Sequence, residues 1–176
     1  MLRDFNLLIS TFRRRETEAC TEIWYLLEKL GDPDSQVEPS GIPGLILVRT
    51  SLNPFQAIKG LRGIFRGSPE AFHYVLKAIP IEEVVESDLG ELSLLGARLE
   101  SKIRPDETFR VTVEKRHSSL DREEVITMVA KKINREVDLK FPAKTVWLGI
   151  LDGFIGVSVL DPDDVFSLEI ERRDQV

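Results

Sequence analysis

Two apolar runs, Thr145–Leu151 and Phe154–Leu160, are separated only by Asp152-Gly153. An Asp-Gly pair accepts the positive φ angles of a two-residue turn, so the runs predict neighbouring antiparallel strands. The second half of the chain is thereby committed to a sheet. Cys20 is the only cysteine, so no disulfide closes within the chain and the fold must rest on its apolar core. Ala19, Ile23 and Trp24 around it mark a buried helix position rather than a nucleophile.

Other segments supply the remaining layers. Asp88 predicts the cap of a helix through Leu92, Leu95, Leu99 and Ile103, ended by Pro105. Phe109–Lys115 alternates as a strand, with Phe109, Val111 and Val113 on one side and Arg110, Thr112 and Glu114 on the other. Ser118-x-x-Asp121 resembles a capping box for a helix reaching Glu136, its core side Val125, Val129 and Ile133. Val165–Glu171 alternates and predicts a last strand.

The first half reads β-α-β-α-β. Asn6–Thr11 is a short strand, and Glu16–Leu30 a helix with Ala19, Ile23, Leu27 and Leu30 in a stripe, stopped at Gly31. Asp32–Pro43 reads as a polar loop or irregular hairpin. Gly44–Thr50 is a strand, Asn53-Pro54 opens a helix, and Phe72–Ile79 is another strand. A seam falls at Pro80, giving a ferredoxin-like domain over 1–80 and a second domain over 81–176, both α+β.

No catalytic constellation assembles. The two histidines, His73 and His117, lack zinc-hydrolase spacing, and neither a nucleophile elbow nor a phosphate-binding Gly-rich loop with its Lys-Ser/Thr pair exists. The expectation is therefore no enzyme, no metal and no cofactor. Gly60-Leu61-Arg62-Gly63 has the form of a nucleic-acid-clamping loop but sits where the helix from Asn53 ends. The chain begins Met1-Leu-Arg-Asp, with no signal peptide and no membrane-length apolar run, which predicts a cytoplasmic protein.

Charge supplies the functional hint. The net charge is −6 and the sequence pI about 5.1, yet cations gather locally. Lys115, Arg116 and His117 stand where a strand stops and a helix begins, and backbone N–H groups near Ser118 and Ser119 offer themselves to phosphate there. His117, protonated against phosphate, would make binding rise as pH falls. Arg13 and Arg14 repeat this corner after the first strand. Lys131, Lys132 and Arg135 form a further group, Lys131 and Arg135 being four apart on the expected helix, and Arg110 contributes from the strand's polar side. Trp24 and Trp147 read as core. Phe55, Phe65 and Phe72 form no stacking platform, so the ligand would be read by backbone and shape. Two competing expectations stand: a protein scaffold using the acidic stretches 82–91 and 161–174, and an enzyme acting on RNA through a site that no motif marks.

Phe109-Arg-Val-Thr-Val-Glu-Lys-Arg-His117, Glu123-Glu124-Val125-Ile126, Val137-Asp138-Leu139…Pro142 and Gly156-Val-Ser-Val-Leu160 together resemble a THUMP domain. They are most similar to the Tan-type THUMP proteins that assist tRNA cytidine acetylation. The opening Leu7-Leu-Ile-Ser-Thr-Phe-Arg13, with Leu30-Gly31-Asp32, Ile79-Pro80-Ile81 and Pro162-Asp163-Asp164, also fits that pattern. The resemblance implies a ferredoxin-like domain packed on a THUMP domain. It implies a tRNA-binding adaptor, without catalytic site, that presents tRNA to a separate acetyltransferase forming N4-acetylcytidine. A stand-alone RNA-binding or scaffold role in another tRNA modification is the alternative. Other THUMP proteins append a catalytic domain and this sequence does not, which strengthens the adaptor expectation. The RNA-binding set is Arg13, Arg14, Arg110, Lys115, Arg116, His117, Ser118, Lys131, Lys132 and Arg135.

Overall fold

The computed structural model describes every residue from Met1 to Val176. In chain order the elements are β1 (Leu7–Ser10), α1 (Glu16–Lys29), β2 (Gln36–Pro39), β3 (Leu45–Arg49), α2 (Pro54–Gly67) and β4 (Lys77–Pro80). Then follow β5 (Glu83–Glu86), α3 (Leu89–Leu99), β6 (Phe109–Lys115), α4 (Arg122–Ala130), β7 (Lys144–Leu151), β8 (Phe154–Leu160), β9 (Phe166–Ser167) and α5 (Leu168–Asp174). Two compact units result, Met1–Ile81 with Asp163–Val176, and Glu82–Pro162. Residues 163–176, grouped with the second domain in the sequence reading, pack with the first unit.

The first unit is an antiparallel sheet in the order β2-β3-β1-β4-β9, the ferredoxin-like arrangement extended by one short strand. Ala19, Ile23, Leu26 and Leu27 bury one face of α1, as their spacing of three and four requires. The Asn53 side chain caps α2 by accepting from the N–H groups of Phe55 and Gln56, with Pro54 in the first turn. Gly60 and Gly63 lie inside α2, so Gly60–Gly63 forms no clamping loop. A Cβ on Gly60 would stand 2.7 Å from Leu30 Cδ2, so the glycine accommodates Leu30 from α1. Phe65, Phe72 and Phe166 close the core with ring centroids 5.2 to 6.2 Å apart.

The second unit has the order β5-β8-β7-β6, with β6 parallel to β7 and the other pairs antiparallel. Gly153 takes φ 87° in the turn between β7 and β8. Phe109, Val111 and Val113 share a buried core with Leu92, Leu95 and Leu99 of α3 and Val125 and Val129 of α4. The helices touch at Gly96, where a Cβ would meet Val129 O at 2.4 Å. The molecule is thus α+β with two sheets.

Several local expectations change. β2 lies in the stretch read as a loop or irregular hairpin and forms a hairpin with β3, whereas β5 was not foreseen because a four-residue strand with charged ends carries little periodic signal. The strand expected over 72–79 is shorter, running Lys77–Pro80 after a 3-10 turn at Pro69–Ala71. Asp121, not Ser118, caps α4, its carboxylate accepting from Glu124 N–H at 2.8 Å. α4 ends at Ala130 rather than Glu136: Ile133 stays buried through a tightened turn, its N–H bonding Ala130 O at 3.0 Å. The last expected strand keeps two residues and becomes α5, burying Leu168 and Glu171 three apart. Trp147 is core, but Trp24 is 38% exposed and donates its indole N–H to Pro33 O. No helix is long and apolar enough to cross a membrane.

Candidate nucleic-acid interface

The strand β6 delivers Lys115 to its end, and the chain turns through Arg116 and His117 with no regular partner beyond the Arg116 N–H to Ile150 O bond. Lys115, Arg116 and His117 are all exposed. Lys115 Nζ donates to Leu120 O at 2.8 Å, and Ser118 Oγ accepts from Leu120 N–H at 3.2 Å, so the loop is braced from within. His117 adopts φ 51°, a left-handed conformation that histidine tolerates better than most residues. The helix start behind it is not open to phosphate. Asp121 occupies it, and Glu123 and Glu124 fill the first turn, so the macrodipole is already satisfied by protein carboxylates.

After β1 the first unit builds a similar corner. Arg15 N–H bonds Phe12 O at 3.1 Å, closing a turn with Arg13 and Arg14 at its centre. Arg14 takes φ 69°, a place normally given to glycine. Arg14 and His117 are the only non-glycine residues of positive φ in the protein. The acids near the Arg13–Arg14 turn are spoken for. Glu16 accepts the Gly44 N–H at 2.6 Å, and that bond holds its carboxyl below the usual carboxylate range. Glu18 pairs with Arg15 at 2.7 Å, which lowers the carboxyl and raises the guanidinium. Arg13 and Arg14 remain exposed to solvent.

The third basic group stands apart from the 115–117 corner. Phe109, where β6 begins, donates to Glu136 O at 2.9 Å and accepts from Asp138 N–H at 3.0 Å. Lys131 and Lys132 therefore lie toward the start of β6, while Lys115 lies six residues along it, about 20 Å away at strand rise. Both lysines are exposed. Arg135 is engaged elsewhere: its guanidinium donates to Ile103 O and Asn134 O at 2.8 Å each and pairs with Glu100 at 3.4 Å. It pins the segment after α4 to the turn after α3. Arg110 likewise holds the loop 137–141 by donating to Leu139 O at 2.8 Å.

That loop displays Val137, Leu139 and Phe141 to solvent. Some of the acids elsewhere are paired: Glu82 with Lys102, Glu83 and Glu91 with Arg98, Glu100 with Arg135. Burial pushes the Cys20 thiol up to about 11, which fits a structural cysteine. No group of three His, Cys, Asp or Glu side chains is arranged to hold a metal ion.

These two units, one ferredoxin-like and one a four-stranded mixed sheet with two helices, define a class that known proteins share. Residues 95–160 match the family described as THUMP domain, and the chain carries that domain. No curated protein matches the chain. Among solved structures, PH1313 from Pyrococcus horikoshii Ot3 superposes with TM-score 0.64 at 22% identity, covering 89% of this chain and 55% of that one. A chain described as a predicted N6-adenine-specific DNA methylase from Listeria monocytogenes gives TM-score 0.56 at 16% identity, covering 88% and 40%. A 4-thiouridine synthetase in complex with RNA and ATP gives 0.52 at 12%, covering 90% and 42%. The chain thus spans about half the length of the solved structures it matches. These likenesses overturn the expectation that the protein is not an enzyme. Its fold recurs within chains described as a methylase and a synthetase, so the lack of a catalytic motif does not set it apart from enzymes.

Proposed function

We propose that this protein binds tRNA through its cationic strand-to-helix corners and presents it to a tRNA-modifying activity. The observation that carries this reading is the pair of corners, Arg13–Arg14 and Lys115–His117, whose cationic side chains are exposed. Exposed cations gathered locally attract a polyanion even on a protein of net charge −6. The THUMP domain and the RNA-bound synthetase of like fold support RNA as that polyanion. The finer reading is an adaptor for a separate acetyltransferase making N4-acetylcytidine, supported by the resemblance of segments 109–117 and 137–160.

Replacing Lys115 and Arg116 together with Ala tests the RNA reading by filter binding to tRNA. Affinity falls, and the log–log salt slope drops by about one per lost phosphate contact. Unchanged affinity and slope would remove it. The adaptor reading is tested by pull-down from native extract, which should return tRNA and an acetyltransferase together. A second reading, service to methyl or thio transfer on tRNA, is favoured by the methylase and thiouridine synthetase among structures of like fold. Nucleoside analysis of tRNA incubated with the purified protein and each group donor separates the two.

A further inference from the structure

Phe12 is 53% exposed at the head of the turn that carries Arg13 and Arg14, directly after a strand whose Leu7, Leu8 and Ile9 are buried. An exposed ring there has no core to serve. The turn is fixed rather than frayed: Thr11 N–H bonds Gly44 O at 2.9 Å, and Arg15 N–H bonds Phe12 O. Gly44 lies so close that a Cβ on it would meet Thr11 O at 2.9 Å, and its own N–H is taken by Glu16. The ring is therefore presented on a braced scaffold, followed in sequence by two exposed arginines, Arg13 and Arg14, with no carboxylate partner. Its neighbours in the turn, Arg13, Arg14 and Arg15, are all charged and exposed. A lone aromatic face among cations matches the chemistry of an unpaired nucleotide, whose base stacks while its phosphates are neutralised.

Resting on the RNA-binding reading, we infer that Phe12 stacks on an unpaired base of the bound RNA while Arg13 and Arg14 hold the phosphates beside it. The first unit then does more than add charge. On this inference it selects for single-stranded nucleotides and adds base stacking to recognition by backbone and shape.

The test compares the full chain with its Phe12→Ala, Phe12→Trp and Arg13→Ala/Arg14→Ala variants. The probes are a short unstructured RNA oligonucleotide and a blunt RNA duplex, each over a range of salt. Phe12→Ala should lose about tenfold in affinity for the oligonucleotide, with its salt slope and duplex binding unchanged. Phe12→Trp should retain affinity, and its added fluorescence over wild type should be quenched by the oligonucleotide. The double arginine variant should instead lower the slope for both probes. Equal binding by wild type and Phe12→Ala, with no quenching, overturns the stacking contact and leaves RNA binding standing. Parallel losses on both probes overturn it as well. Failure of the wild type to bind any RNA overturns the parent reading instead.

Discussion

Arg62 Nε stands 2.5 Å from Glu171 Oε1, and its Nη2 donates to Asp163 O and Val165 O at 3.0 Å each. One side chain of α2 thus ties down the whole returning segment. Both partners are largely buried, so removing one leaves an uncompensated charge. Arg62→Ala should cost about 3 kcal/mol in urea denaturation. Arg62→Lys should recover only part of that, because an ammonium lacks the planar fork that reaches carboxylate and carbonyls together.

Arg14→Gly separates stability from binding. The substitution relieves roughly 1 kcal/mol of left-handed strain, offset in part by the entropy of glycine. Thermal unfolding should therefore stay level or rise slightly. Affinity for RNA should fall and the salt slope should drop by about one if Arg14 contacts phosphate. Loss of stability without loss of affinity would show the arginine to be structural.

Arg135 and Lys131 should respond in opposite ways. Arg135→Ala removes donors from Ile103 O and Asn134 O and should lower stability by about 1–3 kcal/mol. Lys131→Ala/Lys132→Ala should leave denaturation midpoints within about 0.5 kcal/mol. Only the lysine pair should change the salt dependence of tRNA binding.

Asp32 predicts a specific acid response. Burial would raise its carboxyl, but bonds from the Thr50 hydroxyl at 2.5 Å and Ser51 N–H at 2.8 Å outweigh that and hold it below its ordinary value. A depressed folded value means its contribution is complete above the unfolded value, near 3.8, and lost as pH falls through the folded one. Asp32→Asn should therefore be destabilised at neutral pH, and the gap from wild type should narrow in acid. A gap independent of pH would assign the effect to packing.

Gly96→Ala should destabilise the second unit by about 1–3 kcal/mol, since the added Cβ meets Val129 O and Lys132 Cβ at 2.4 and 2.7 Å. Hydrogen exchange should localise the loss to α3 and α4.

Elements with strong local signals were legible in the sequence. The Asp152-Gly153 turn, the Asn53-Pro54 start and the stripe of α1 depend on neighbours within a few residues. β5 owes its existence to a partner far along the chain, Glu83 to Val157, and left no periodic trace. The candidate site divides the same way. Clustering identified the basic runs, but not that Arg135 and Arg110 point their guanidinium groups at carbonyls of other segments. Phe12 went unnoticed because an aromatic following an apolar strand looks like its last core residue.

The return of residues 163–176 to the first unit has a consequence for the order in which the protein is made. As the chain emerges, β1 to β4 are complete long before β9 exists, so the edge of β4 waits unpaired and the core lacks Phe166. The intervening unit, by contrast, is continuous in the chain and needs nothing from later residues. It is suited to fold first, and the first unit to close around its own last strand only when synthesis has nearly ended. A cut placed near residue 80 would remove a structural part from each fragment's count unevenly: the segment from 82 to 162 keeps its core, and the segment before it loses a wall.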